Sequence, residues 1–178
     1  MLSVHIKINL MIFYMKSCLF VSAMLLSVGC AAQQHVQARS DTAAAEILTH
    51  AVEAGHYRID IDKIHSPEGK SLDVNDSYFC TTQTGAVLQL SPEVFRERPF
   101  RKLGDLRNDY KVLDRSAPAI RKNGDLQFTV SIANETNPKA TYKLLVTVYT
   151  GSDRCSVRMT HERGQTCLCE FRGRISAR

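Results

Sequence analysis

The sequence predicts a mainly β domain preceded by one helix, with an antiparallel meander that curls into an open barrel or a sandwich. Two observations predict it. From Tyr57 onward apolar residues recur at every second position rather than at helical spacing. The runs are separated by short turn-forming contexts, and consecutive strands joined by short connections pair as antiparallel neighbours. There is no alternation of strand and helix to support a nucleotide-binding sheet. The 178 residues, 44% hydrophobic and 23% charged, have globular composition and suit one domain. That composition excludes a disordered tail, a collagen-like repeat and a multi-pass membrane protein.

Residues 31–39, AAQQHVQAR, are small and polar without periodicity and read as a tether, so the domain spans 40–178. Ser40 and Asp41 offer caps for a helix over 41–54, in which Ile47, Leu48, Ala51 and Val52 share a face and which Gly55 stops. Tyr57, Ile59 and Ile61 then alternate with Arg58, Asp60 and Asp62, giving a half-buried strand that ends at the turn Ser66-Pro67-Glu68-Gly69. Further strands are expected at 77–83, 86–90, 108–114, 125–132, 141–149, 153–160 and 166–175. Asn123-Gly124, Asn137-Pro138, Gly151 and Gly164 mark turns between the later ones. The stretch 91–107, SPEVFRERPFRKLGDLR, breaks the rhythm, and a loop of that length in a small domain usually binds something or covers an opening.

The N-terminal residues supply an address. Residues 15–30, MKSCLFVSAMLLSVGC, carry a positive Lys16, an apolar run and a small residue before a cysteine, the anatomy of an export signal. Met15 is the expected start. The run is too short and too closely flanked by polar residues to span a bilayer, which takes about 20 apolar residues. Leu26-Ser27-Val28-Gly29-Cys30 resembles a bacterial lipobox, which makes 1–30 a lipoprotein signal and Cys30 the lipidation site; ordinary cleavage a few residues later is the alternative, yielding a soluble secreted or periplasmic protein. Either route places the mature chain outside the cytosol, and lipidation would hold it in the cell envelope, at the periplasm or outer membrane. Once Lys7 and Lys16 are set aside, 21 Lys and Arg face 18 Asp and Glu, a net charge of +3. That is too weak a basic balance for a nucleic-acid partner.

In an oxidising compartment Cys80, Cys155, Cys167 and Cys169 invite disulfides. If His161 to Gly164 form the turn of the last hairpin, a symmetric register sets Cys155 opposite Cys169, Val157 opposite Cys167 and Arg154 opposite Glu170. A Cys155–Cys169 bridge would stabilise the fold by about 3 kcal/mol in the chain-entropy picture. The alternatives are an apolar inner face of buried free thiols, and other pairings such as Cys80 with Cys167. A C-x-C pair is not a zinc knuckle, so no metal or cofactor is expected.

Two surfaces carry possible function. Phe95, Arg96, Arg98, Phe100, Arg101 and Lys102 make a basic loop interleaved with aromatics, suited to an envelope lipid headgroup, a glycan phosphate or an acidic partner protein, with Glu93 and Glu97 partly offsetting the charge. The alternative is a solvated loop that its two phenylalanines pin to the sheet. Asp60 and Asp62 share a strand face with His56 and Arg58, the one carboxylate pair open to acid/base work; solvated strand faces look the same. There is no G-x-S-x-G, no phosphate-binding glycine loop and no H-E-x-x-H, and the histidines are scattered singly, so no catalytic residue is assigned.

The order of elements, with Asn108-Asp109-Tyr110-Lys111-Val112, a Lys122-Asn123-Gly124 turn into an apolar strand and an ending Phe171-Arg172-Gly173-Arg174-Ile175, resembles the domain-of-unknown-function family 4251 over about residues 40–176. The resemblance implies a small exported envelope protein of Gram-negative bacteria with a β-rich domain, and it lends no catalytic residues. The expected role is a non-enzymatic binding or scaffolding module on a lipid anchor. An enzyme acting on an envelope glycan or lipid and a purely structural domain are the alternatives.

Overall fold

The computed structural model describes residues 45–163 and 166–178. The expected signal segment with Cys30, the expected tether and the first residues of the expected helix lie outside the described residues. Within them the helix α1 occupies 45–54. Val52 enters the core with Leu48 packed beside it, one helical turn apart. Gly55 at φ 74° ends the helix, its N–H donating to the Val52 carbonyl and that of His56 to the Ala51 carbonyl.

Among the described residues nine strands follow: β1 (Tyr57–His65), β2 (Ser71–Thr81), β3 (Gly85–Gln89), β4 (Arg107–Arg115), β5 (Ala119–Ile120), β6 (Leu126–Asn134), β7 (Thr141–Val148), β8 (Arg154–His161) and β9 (Cys167–Ala177). The pairing order is β4-β3-β2-β1-β9-β8-β7-β6, all antiparallel, and β4 also pairs with β6. Eight strands therefore form a closed ring, which removes the edges that an open sheet would expose. The short β5 prolongs the line of β4 along the start of β6. The alternation read from the sequence sets the inside: Ile59, Phe79, Leu88, Ile132, Leu144 and Phe171 are 2% exposed or less, so side chains fill the barrel.

The two ends of the barrel differ. At the end where β1 begins, α1 seats Val52 in the core and Tyr57 meets Phe128 edge to face with ring centroids 5.4 Å apart. At the other end the segment between β3 and β4 folds into two 3-10 turns, Pro92–Arg96 and Arg98–Leu103, each with a proline in its first turn. Val94, Phe100 and Leu103 from these turns belong to the core. The second turn contacts β9, which stands four strands around the ring from β4, so the segment crosses the barrel mouth. A Lys70–Glu97 ion pair ties it to the β1–β2 turn.

The last hairpin departs from the symmetric register. Cys155 lies opposite Gly173, Met159 opposite Cys169 and Thr160 opposite Cys167. Its connection covers 162–166, a longer and later turn than expected, and Leu168 is an extra residue on β9 that shifts the register again. Cys155 and Cys169 are thus four residues out of step, about 13 Å along the strand, beyond the reach of a disulfide. The described cysteines are all free, and Cys155 and Cys169 face the core. Arg154 meets Asp62 rather than Glu170.

Candidate functional site

The basic-aromatic segment is a loop that its two phenylalanines pin to the barrel, the second of the two forms its composition allowed. Phe100 is fully buried and Phe95 half-buried, so neither offers an exposed ring. They hold the lid across the barrel mouth, because closing that mouth requires apolar side chains on its inner side. Arg96, Arg98, Arg101 and Lys102 face solvent on its outer side, with Arg101 Nε donating to the Phe95 carbonyl.

A recess of about 310 Å³ opens instead in the barrel wall, lined by Arg58, Asp60, Asp62, Asp76 and Arg174 over a floor that includes Val74 and Ser77. It exists because two neighbouring strands bulge at one level. On β1, Ile61 pairs with Gly173 of β9 and Lys63 with Arg172, leaving Asp62 as an extra residue. On β2, Ser77 and Asp73 face Ile61 and Lys63, so Val74, Asn75 and Asp76 all stand against Asp62. Asp76 takes φ 53°, the one left-handed non-glycine among the described residues. Gly173 closes the floor: a Cβ there would overlap the carbonyl oxygen of Asp60. Paired bulges that re-aim side chains recur beside binding sites, as do residues held in left-handed backbone.

The charges of the recess are organised as half-exposed ion pairs. Arg58 Nε donates to Asp60 Oδ1 at 2.7 Å while its guanidinium lies 4.0 Å above the Tyr78 ring. Arg154 holds Asp62, and Arg174 reaches Asp153 at 3.5 Å. Asp76 has no ion-pair partner among the described residues. Ser77 Oγ accepts from the Ser91 N–H at 2.9 Å and donates to the Asn75 carbonyl, which fixes the β2 bulge to the start of the lid. Beneath the wall, burial and then the nearby Asp62 and Asp153 push the Cys155 thiol up to about 12. Among the described residues no group of His, Cys, Asp and Glu is arranged to hold a metal ion.

The sequence thus placed Asp60 and Asp62 on one face correctly, but missed Asp76 and Arg174. A signal for them was present. The polar run Asp73 to Ser77 sits where a strand should alternate, and Gly173 interrupts the apolar positions of the last strand.

Fold and recess together define a lidded eight-stranded meander barrel with an ionic cleft in its wall. The same fold is seen in the crystal structure of a DUF4251 family protein from Bacteroides eggerthii DSM 20697, with a TM-score of 0.57 over 79% of this chain and 91% of that one, at 15% identity. That neighbour is a member of the family which the residues resemble. No protein-family profile matches this sequence, and no curated protein does.

Proposed function

We propose that the chain is an exported, lipid-anchored envelope protein and that its barrel is a non-enzymatic binding module whose ligand docks in the wall cleft. One observation carries the reading: the double bulge holds arginines and aspartates around a recess, while the barrel interior is filled with side chains and lidded. Binding therefore belongs on the outer wall. Exposed ion pairs contribute little to stability, commonly about 0–1 kcal/mol, so a ligand can replace one partner of each at small cost.

A small zwitterion fits such a cleft, its anionic group on Arg174 and Arg58 and its ammonium on Asp76. Envelope lipid headgroups, amino-sugar glycans and the termini of a partner protein all carry that pairing. Asp60 and Asp62 share the cleft, yet they are 58% and 48% exposed and each is held by an arginine. That is the arrangement of solvated ion pairs rather than of a desolvated acid and base, and it favours binding over catalysis. The test is NMR shift mapping with O-phosphoethanolamine and diglycine as probes. Shifts confined to Asn75, Asp76, Gly173 and Arg174, lost in Asp76→Ala, support the reading; shifts elsewhere only, or none at saturating probe, overturn it.

A further inference from the structure

The large apolar side chains that the fold leaves exposed are not evenly spread. Among the described residues Ile47, Ile120 and Tyr149 belong to elements at the end where β1 begins, Leu106 belongs to the lidded end, and Leu113 stands between them on β4. Ile120 is 78% exposed and Tyr149 41%. Their turns are interlocked: the Thr150 N–H donates to Asp125 Oδ1 at 3.0 Å and Thr150 Oγ1 donates to the Asn123 carbonyl at 3.2 Å. Leu126 and Val148, the residues that open and close the strands behind these turns, are register partners. The result is a rigid double-turn tip.

The charges on the tip have a pattern too. Arg121 and Lys122 follow Ile120 directly, both are exposed, and neither has an ion-pair partner among the described residues. Asp125, the acid of the same turn, is bent inward onto Asn123 and Thr150. An apolar side chain beside unpaired cations is the chemistry that settles at a bilayer interface, with the ring or alkyl group among the acyl ends and the cations on headgroup phosphates.

The chain leading to Cys30 supplies the direction. Fourteen residues, 31–44, separate Cys30 from Ala45 of α1 in the sequence, and α1 lies at the same end of the barrel as the tip. Seven of the eight barrel strands are eight to eleven residues long and separate that end from the lid by about 25 Å.

We infer that the α1 end of the barrel docks on an anionic phospholipid surface, with Ile120 and Tyr149 entering the interface and Arg121 and Lys122 meeting the phosphates. This rests on the proposed anchoring at Cys30. It turns the basic outer face of the lid away from the bilayer.

The test is hydroxyl-radical footprinting of the chain extracted from the membranes of a Gram-negative host and reconstituted in vesicles of phosphatidylethanolamine and phosphatidylglycerol. Leu106, 46% exposed, serves as the internal reference. Docking predicts oxidation of Ile120 and Tyr149, relative to Leu106 and corrected for intrinsic reactivity, about fivefold below that expected from their exposure in water. The mass of the N-terminal peptide reads acylation in the same sample. An acylated chain with Ile120 as reactive as in water overturns the docking and leaves the anchor standing. An unacylated chain that still binds and is protected overturns the anchor and supports the docking. A chain that stays off the vesicles overturns both, and protection that needs only a higher protein concentration identifies a second copy of the chain as the occupant and overturns the docking.

Discussion

Gly173 lies beneath the carbonyl oxygen of Asp60, so close that the two strands could not meet there if the residue carried a Cβ. This contact lets β9 press against the bulged part of β1, with Gly173 opposite Ile61 on one side and Cys155 on the other. Gly173→Ala is expected to cost about 1–3 kcal/mol, as overpacking does, measured as a lower urea midpoint with unchanged slope. An unchanged midpoint would mean that the cleft floor is not packed as described.

The lid makes a sharper contrast. Phe100 is fully buried at the barrel mouth while Arg98, two residues earlier, is exposed. Phe100→Ala should destabilise the protein by about 3–5 kcal/mol, and Arg98→Ala should stay within about 0.5 kcal/mol of wild type. Chemical denaturation of the two variants checks this. Equal, small effects would return the segment to the status of a surface loop.

Asp76 sits in left-handed backbone that costs an ordinary L-residue about 1–2 kcal/mol. Asp76→Gly is expected to leave stability unchanged or raise it by up to about 1 kcal/mol, while abolishing the zwitterion response of the cleft. Thermal melts read the first effect and NMR titration the second.

Alkaline pH should weaken the fold. Burial and the nearby Asp62 and Asp153 raise the Cys155 thiol from 9.0 to about 12, and burial raises Cys169 and the phenols of Tyr57 and Tyr110 above their ordinary values. Each group keeps its proton longer folded than unfolded. Their contribution to stability is therefore level below the unfolded values and falls as pH rises through them, by about 1.4 kcal/mol per pH unit for each group titrating only when unfolded. Urea midpoints between pH 7 and 11 check the slope. The same burial predicts that Cys155 and Cys169 react with iodoacetamide only after unfolding.

What the sequence disclosed follows from period. A barrel strand alternates inside and outside, so Ile59, Val130, Val146 and Phe171 announced their strands and the predicted order agrees with the observed one. The start of β2 was hidden because the double bulge breaks that alternation between Leu72 and Ser77, and two-residue β5 is too short to show a period. The hairpin register failed chiefly because the connection covers 162–166 rather than 161–164, and the extra residue Leu168 then moves the partner of Cys155 by one more position. For the lid both forms were legible, a partner-binding loop and one pinned by Phe95 and Phe100, because sequence alone does not say whether Phe100 points at a partner or at the barrel it closes. The cleft pairs Asp62 with Arg154 across 92 positions, a proximity that only the closed ring creates.

The proposed lipid anchor at Cys30 and the free thiols of the barrel are both read by the intact mass of the protein extracted from membranes. The predicted mass is that of a chain beginning at Cys30, increased by two or three acyl chains and unchanged by reductant. A chain that retains residues 1–29, one that begins beyond Cys30 without acyl groups, or one that gains the mass of two hydrogens on reduction would contradict it.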